Sequence, residues 1–341
     1  MTGNKQYKIE DWDIATFESL SHLKSDPSKK LIHNRMGRLY WVWADDRLYE
    51  QRFARENGPY QVRNIQFLRD LYPNAERCID IGMNVANNSM EYATWVKEVH
   101  GFEPFPSTYE LAEENIKLNR QVPLKGRYWN SRELKTEHTT DKDDGWYKQN
   151  GSFASLDITG TIQTYNVGLG SQSGAFKMLE KPNNAGHNHV LAEGMKNDRY
   201  KEYNVQIKTL DSYQFESVDF IKIDVEGYEW EVVQGAEQTI DQCRPTVQME
   251  IVEAQCKKFG YTPQTVYDFF AQKNYEMFDF NGNNLGQTWQ KLKGVMETFF
   301  VPQEISHSVK QKSKTHPGMI TGFGKRKKVE KFDDLFIESD S

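Results

Sequence analysis

The stretch Arg77-Cys-Ile-Asp-Ile81 constrains this chain more than any other, because it is a short apolar run that stops on a glycine, Gly82. A polar turn follows from Asn84 to Ser89, then a helical pattern to Lys97. Val99 to Phe102 is a second short run, closed by Glu103-Pro104, and Ser107 to Leu118 sets Leu111, Asn115 and Leu118 in helical register. Strand, turn, helix, strand, helix is the start of a doubly wound α/β sheet, whose ligands sit at the carboxyl ends of the strands.

The same rhythm returns at Val218-Asp-Phe-Ile-Lys-Ile-Asp-Val225 with a helix behind it, and again at Pro245-Thr-Val-Gln-Met-Glu-Ile251, so it spans about 78–256. Between these segments, 130–160 reads as a surface insertion, Tyr165-Asn-Val-Gly-Leu169 as an interior strand, and Val205 to Leu210 as an edge strand. Upstream, Leu39-Tyr-Trp-Val-Trp43 reads as a short strand or an aromatic plug. Val62, Ile65, Leu68 and Leu71 predict an amphipathic helix that Pro73 and Asn74 end. Downstream, a helix over Thr265 to Phe270 and a strand over Tyr275 to Phe280 are expected, with a short apolar run at Phe299-Phe-Val301. Ile305 to Lys328 has no acid and seven Lys or Arg, and predicts a loose tail that turns acidic at its end. The expected divisions are an accessory, partly helical region at 1–76, a main domain at 77–302 and the tail at 303–341.

Composition narrows the partners. No stretch of the 341 residues approaches a membrane-spanning run, and mean hydropathy is −0.79. A net charge of −6 gives no field for general nucleic-acid binding. Three cysteines at 78, 243 and 256 form no paired spacing and suit a reducing cytoplasm, and the first residues carry no apolar run of leader type. A cytoplasmic protein is expected.

Two segments can carry chemistry. In Asp80-Ile-Gly-Met-Asn-Val-Ala-Asn87, Gly82 allows a sharp turn close to a ligand, and Asp80 and Asn84 can hold its polar end. Glu103 ends the next strand 21 residues beyond Gly82, where a carboxylate can accept both hydroxyls of an adenosine ribose. Met83, Val85 and Ala86 break the glycine fingerprint of a dinucleotide site, so a nucleoside without pyrophosphate fits better and a nicotinamide enzyme is disfavoured. In Ile221-Lys-Ile-Asp-Val-Glu-Gly227, period-two alternation points Lys222, Asp224 and Glu226 one way, with Asp224 and Glu226 about 7 Å apart. Charges on a central strand imply that its end opens into a crevice.

Together these segments resemble the FkbM family of S-adenosylmethionine-dependent methyltransferases, over about 77–280. The resemblance rests on Cys78-Ile-Asp-Ile-Gly-Met-Asn-Val-Ala-Asn87, Val99-His-Gly-Phe-Glu-Pro104, Glu113-Glu-Asn-Ile-Lys-Leu-Asn119, Asn166-Val-Gly-Leu-Gly170, Asn184-Ala-Gly186, Asp219-Phe-Ile-Lys-Ile-Asp-Val-Glu-Gly-Tyr-Glu229, Gln234-Gly-Ala236 and Pro245-Thr-Val-Gln-Met-Glu250 in that order. It implies a class I Rossmann-like fold: α/β, doubly wound and mostly parallel, with helices on both faces plus N- and C-terminal extensions. It further implies S-adenosyl-L-methionine as cofactor, held by Asp80, Gly82, Asn84, Ala86, Asn87, Glu103, Pro104, Asn166 and Asp224. The implied reaction is O-methylation of a hydroxyl on a sugar, glycan or related small molecule. Two departures stand out: Met83 replaces the usual alanine, and Ala86 replaces the second glycine. Since alanine is strained in the left-handed region, Ala86 is expected to have negative φ and to lie near the methionine part of the cofactor.

An aliphatic hydroxyl needs a positioned base. Glu226 is the first candidate and Asp224 the second, with Lys222 paired to either carboxylate. His187 and His189 are the alternative bases, and no metal is assigned. The readings left open are a methyltransferase-like binding or structural module that lacks activity, and a methyltransferase acting on protein or nucleic acid. The latter commonly carries Asn/Asp-Pro-Pro-Tyr where this chain has Asp224-Val-Glu-Gly227.

Overall fold

Residues 26–33, 38–46, 61–121, 157–180, 189–190, 201–289 and 297–315 are described by a computed structural model. The apolar runs become β3 (Arg77–Ile81), β4 (Glu98–Phe102), β10 (Phe220–Ile223) and β11 (Thr246–Glu250), preceded by a hairpin of β1 (Lys29–His33) and β2 (Leu39–Trp43). Seven strands form the main sheet, in the order β12 (Tyr275–Phe278), β13 (Glu297–Pro302), β11, β10, β3, β4, β5 (Thr161–Tyr165). All pairings from β11 to β5 are parallel, while β13 runs antiparallel to both its neighbours. Chain order reverses between β3 and β10, which makes the end of that pair the switch point where an open α/β sheet forms its crevice.

Alternation along each strand builds a core on both faces. Ile79, Ile81, Ile221, Ile223, Val247 and Met249 join one apolar cluster, and Cys78, Val99, Phe220, Phe299 and Val301 join the other. Helices contribute to both: α1 (Val62–Leu71) buries Ile65 and Leu68 in the second cluster, and α2 (Asn87–Tyr92) adds Tyr92. The first cluster receives Val232 and Val233 of α4 (Glu229–Gln234), Ile240 of α5 (Glu237–Cys243), Cys256 of α6 (Glu253–Lys258) and Phe270 of α7 (Pro263–Gln272). The helix α3 (Pro106–Gln121) lies between β4 and β5 in the chain. The α/β, doubly wound and mostly parallel architecture is therefore present, and α1 matches the periodicity that predicted it.

Four expectations need correction. The run Tyr165 to Leu169 is not one interior strand: β5 takes the edge of the main sheet, while β6 (Gly168–Leu169) enters a second, four-stranded sheet. In that sheet β9 (Lys201–Lys208) lies between β6 and β7 (Gly174–Glu180), so Val205 to Lys208 are interior, and β8 (His189–Val190) is the outer strand beside β7. The start of the basic tail is not loose, because α8 runs over Gln303–Thr315. Finally, β10 stops at Ile223, so Asp224 and Glu226 leave the strand alternation and sit in a turn where Glu226 has φ 57. The Asn184-Ala-Gly186 loop, His187 and most of the 130–160 insertion lie outside the described residues, as does the side chain of His189. Among the described residues no helix is long and apolar enough to cross a membrane.

Candidate cofactor and active site

The site starts where β3 ends. Gly82 has φ 77, and a Cβ there would lie 1.9 Å from the carbonyl oxygen of Asp224. Only glycine lets the two strand ends approach this closely. The amides of Gly82 and Met83 both donate to Phe102 O at 3.1 and 2.9 Å, which folds the loop over the end of β4. There Glu103 takes one amide on each carboxylate oxygen: Asn84 N–H on Oε2 at 3.0 Å and Phe105 N–H on Oε1 at 2.9 Å. Each oxygen keeps a further lone pair, so the group can still accept two hydroxyls. Burial pushes its pKa up to about 7, against the pull of those amides.

Ala86 contradicts the sequence expectation. Its φ is 66, and it is fully buried with Tyr40, Val42, Met83, Val85 and Met90 behind the loop, not on a cavity wall. The loop thus keeps the left-handed turn that a glycine would favour, and alanine bears the strain inside an apolar cluster that includes Tyr40 and Val42 of β2.

Lys222 lies opposite Asp80 in the β10–β3 register and is buried. Its Nζ is 3.1 Å from Asp80 Oδ1 and 3.9 Å from Asp224 Oδ2, and donates to Gly82 O at 2.7 Å. Burial disfavours its charge, yet Asp80 and Asp224 hold its pKa above the ordinary lysine value. Asp80 also accepts the Ser89 hydroxyl at 2.6 Å. Both charges brace the loop. Asn166, placed at the cofactor by sequence, is exposed and ties the chain instead: its Nδ2 donates to Glu103 O and Pro104 O at 2.9 and 3.2 Å.

The turn after β10 is set by Glu229, whose Oε1 accepts Gly227 N–H at 3.0 Å and Val225 N–H at 3.2 Å while Oε2 accepts the Tyr261 hydroxyl at 3.0 Å. Burial raises this carboxyl to about 7. So held, Asp224, Val225 and Glu226 face a cavity, and Glu226 accepts Gln255 Nε2–H at 2.7 Å.

That cavity brings together Gly82, Asn84, Asn87, Glu103, Pro104, Lys222, Asp224 and Glu226 of the residues expected from sequence. Asp80, Ala86 and Asn166 lie off its wall. Its apolar lining includes Leu169, Met178, Val190 and Ile207 from the second sheet. The wall also includes Gln61, Asn88 and Glu250, which the sequence reading missed. Glu250 could have been found, because it closes an apolar strand just as Glu103 does. Nothing local marked Gln61. Burial, with Asp224, Glu297, Glu226 and Glu229 nearby, lifts the Glu250 carboxyl well above the usual range.

The family model for the methyltransferase FkbM domain matches residues 80–277, more than half of the chain. No curated protein matches. Among solved structures, the chain is similar to the methyltransferase FkbM from Methylobacillus flagellatus KT, with 15% identity and a TM-score of 0.36. That match covers 67% of this chain and 44% of the other, so this chain spans less than half of that protein. It is also similar to the O-methyltransferase from Bacillus cereus, solved with S-adenosylhomocysteine, at 11% identity and TM-score 0.35, covering 86% and 98%. The N-methyltransferase NodS from Bradyrhizobium japonicum WM9 matches at 10% identity and TM-score 0.32, covering 76% and 99%. Scores this low say nothing of the acceptor. The matched segment includes the Gly82 loop, Glu103 and the Asp224 turn, and by it the chain belongs to the FkbM family of S-adenosylmethionine-dependent methyltransferases.

Proposed function

We propose that this methyltransferase uses the cavity to methylate a hydroxyl of a sugar, glycan or related small molecule. The observation that carries the reading is the make-up of the cavity wall: the Glu103 carboxyl and apolar side chains of the second sheet, together with the carboxyls of Asp224, Glu226 and Glu250. The residues fit the cofactor, since the Gly82 cradle has no room for a side chain and Glu103 retains accepting capacity. When bound, S-adenosylmethionine supplies a methyl group already activated on a sulfonium.

In this reading Glu103 holds the ribose hydroxyls, and Leu169, Met178, Val190 and Ile207 cover the adenine. Asn84 and Asn87 face the methionine part, while Lys222 keeps the Gly82 loop and the Asp224 turn together. The chain's chemical task is then to align the acceptor and take its proton. Glu226, Asp224 and Glu250 line the cavity and are the candidates for that, and a carboxylate raised by burial and like charges is the better base. The site excludes water from the adenine end through its apolar lining.

The test is calorimetry with S-adenosylmethionine and S-adenosylhomocysteine, followed by mass spectrometry of hydroxylated acceptor mixtures for a gain of one methylene. Failure to bind either compound would defeat the cofactor assignment. Methyl gain only on amines or macromolecules would defeat the acceptor class. Glu226→Gln and Glu250→Gln, which keep shape and remove a base, then assign the proton acceptor by which one loses turnover with binding intact.

A further inference from the structure

Along the cavity wall runs a hydrogen-bond chain of one sense. The Tyr40 hydroxyl donates to Asn87 Oδ1 at 3.0 Å, Asn87 Nδ2 to Asn88 Oδ1 at 2.7 Å, Asn88 Nδ2 to Gln61 Oε1 at 2.7 Å, and Gln61 Nε2 to Glu297 Oε1 at 2.8 Å. Asn87, Asn88 and Gln61 all line the cavity. Both oxygens of the Glu297 carboxyl at the end accept, Oε1 from Gln61 and Oε2 from Gln248 Nε2–H at 3.2 Å, so the chain runs from Tyr40 to Glu297. Chains of this kind polarise one another and lock their members into one arrangement.

Both ends of the chain are anchored outside the family-matched segment, 80–277. Gln61 has φ 59, a conformation costly to any residue with a Cβ. It caps α1 with its backbone only, accepting Asn64 N–H and Ile65 N–H on its carbonyl, and its side chain makes no cap. The side chain is spent on Asn88 and Glu297 instead. Tyr40 is held just as firmly. Asn119 of α3 exchanges two hydrogen bonds with the backbone of Leu39, and Asn115 exchanges two with Trp41. Asn115 Nδ2 also reaches Val85 O at 3.1 Å, and Arg38 forms a buried ion pair with Glu91 of α2. The hairpin is thereby fastened onto the loop that carries the strained Ala86.

We propose that Tyr40 and Gln61 are positioning residues for the cofactor, acting through Asn87 and Asn88 from the N-terminal hairpin on one side and Glu297 on the other. The proposal rests on the reading that this cavity holds S-adenosylmethionine. Neither residue need touch the cofactor. Each fixes the orientation of a wall amide that does, so the site is preorganised by chain the family segment does not include.

The experiment titrates S-adenosylhomocysteine into the full chain and into Tyr40→Phe, Gln61→Leu, Gln61→Gly and Tyr40→Phe/Gln61→Leu, with an unfolding midpoint for each. Tyr40→Phe removes one oxygen and should fold. Its dissociation constant, and that of Gln61→Leu, should rise about 3- to 10-fold, the range for a lost hydrogen bond. The double variant should lose less than the product of the two, because both break one chain. Gln61→Gly is the discriminating variant: it relieves the backbone strain, so binding should weaken while the melting midpoint stays close to that of the wild type. Unchanged affinity in the variants, or weakening that merely tracks a fall in the melting midpoint, would overturn the proposal. A wild-type protein that binds no S-adenosylhomocysteine would overturn the cofactor reading itself, and this inference with it.

Discussion

Gly82→Ala is the sharpest perturbation of this site. The new Cβ would lie 1.9 Å from Asp224 O, where an ordinary carbon–oxygen contact is about 3.3 Å, so the loop and the end of β10 must separate by about 1.4 Å. Alanine in the left-handed region costs about 1–2 kcal/mol before any clash. The separation also stretches the Asp224 N–H bond to Ile81 O, 3.1 Å in the native chain, and the Lys222 bond to Gly82 O, 2.7 Å. A backbone bond is worth about 1 kcal/mol and one from a charged donor about 1.5–3 kcal/mol. Together these terms give a loss of about 3–6 kcal/mol, a large share of the roughly 5–15 kcal/mol that holds a typical protein folded. Urea unfolding measures the stability, and titration with S-adenosylhomocysteine at low temperature measures the site. Binding should become undetectable even where the variant remains folded. A stability loss under about 1 kcal/mol with wild-type affinity would refute the claim that this approach demands glycine.

At Ala86 the opposite outcome is expected. Glycine there relieves about 1–2 kcal/mol of left-handed strain but loses about 0.8 kcal/mol from a buried methyl and about 0.4–1 kcal/mol through the unfolded chain. Ala86→Gly should therefore lie within about 1 kcal/mol of wild type by urea unfolding. Glu103→Gln should weaken S-adenosylhomocysteine by roughly ten- to a hundredfold in calorimetry, the cost of a lost charge-assisted bond. Arg38→Met strands Glu91 as a buried charge and should cost about 3–5 kcal/mol, while Arg38→Met/Glu91→Met should recover much of that in the same assay. Glu103, Glu229 and Glu297 are all raised to about 7, so the fold favours their protonated forms. Their contribution to stability is fully present below the ordinary glutamate range and is lost as pH rises through about 7. Glu297→Gln should flatten the dependence of the urea midpoint across that window.

The sheet was legible because each central strand is a short apolar run ended by glycine or a carboxylate, and a strand buried on both faces can hardly read otherwise. Gly82 and Glu103 were legible for the same reason, since a strand end at a switch point is where a tight turn and a carboxylate mean something. What failed was reasoning carried past the strand ends. Alternation predicted a shared face for Asp224 and Glu226, but β10 ends at Ile223, and the geometry beyond is set by Glu229 and Tyr261, residues distant from any strand pattern. Ala86 failed similarly. Local strain argued for negative φ, and the tertiary packing of Tyr40 and Val42 overrode it. Gln61 and Tyr40 were invisible because their role lies in partners hundreds or tens of residues away, Glu297 and Asn87, which no local window contains.

Lys222 shows how the corrected geometry redistributes the chemistry. From sequence it stood beside Asp224 and Glu226 as a partner in catalysis. In the fold it is 3% exposed, bonded to Gly82 O and paired first with Asp80. Its neighbours raise its pKa despite burial, so it remains charged and has no vacancy for a proton. A fixed cation there serves two ends. It offsets part of the charge of Asp80 and Asp224, which lets carboxylates crowd the switch point, and it ties the Gly82 loop to the strand that delivers them. In the proposed reaction, proton removal falls to the carboxylates that line the cavity, Asp224, Glu226 and Glu250. Burial and like charges lift the Glu250 carboxyl well above the usual range, which suits it to accept that proton.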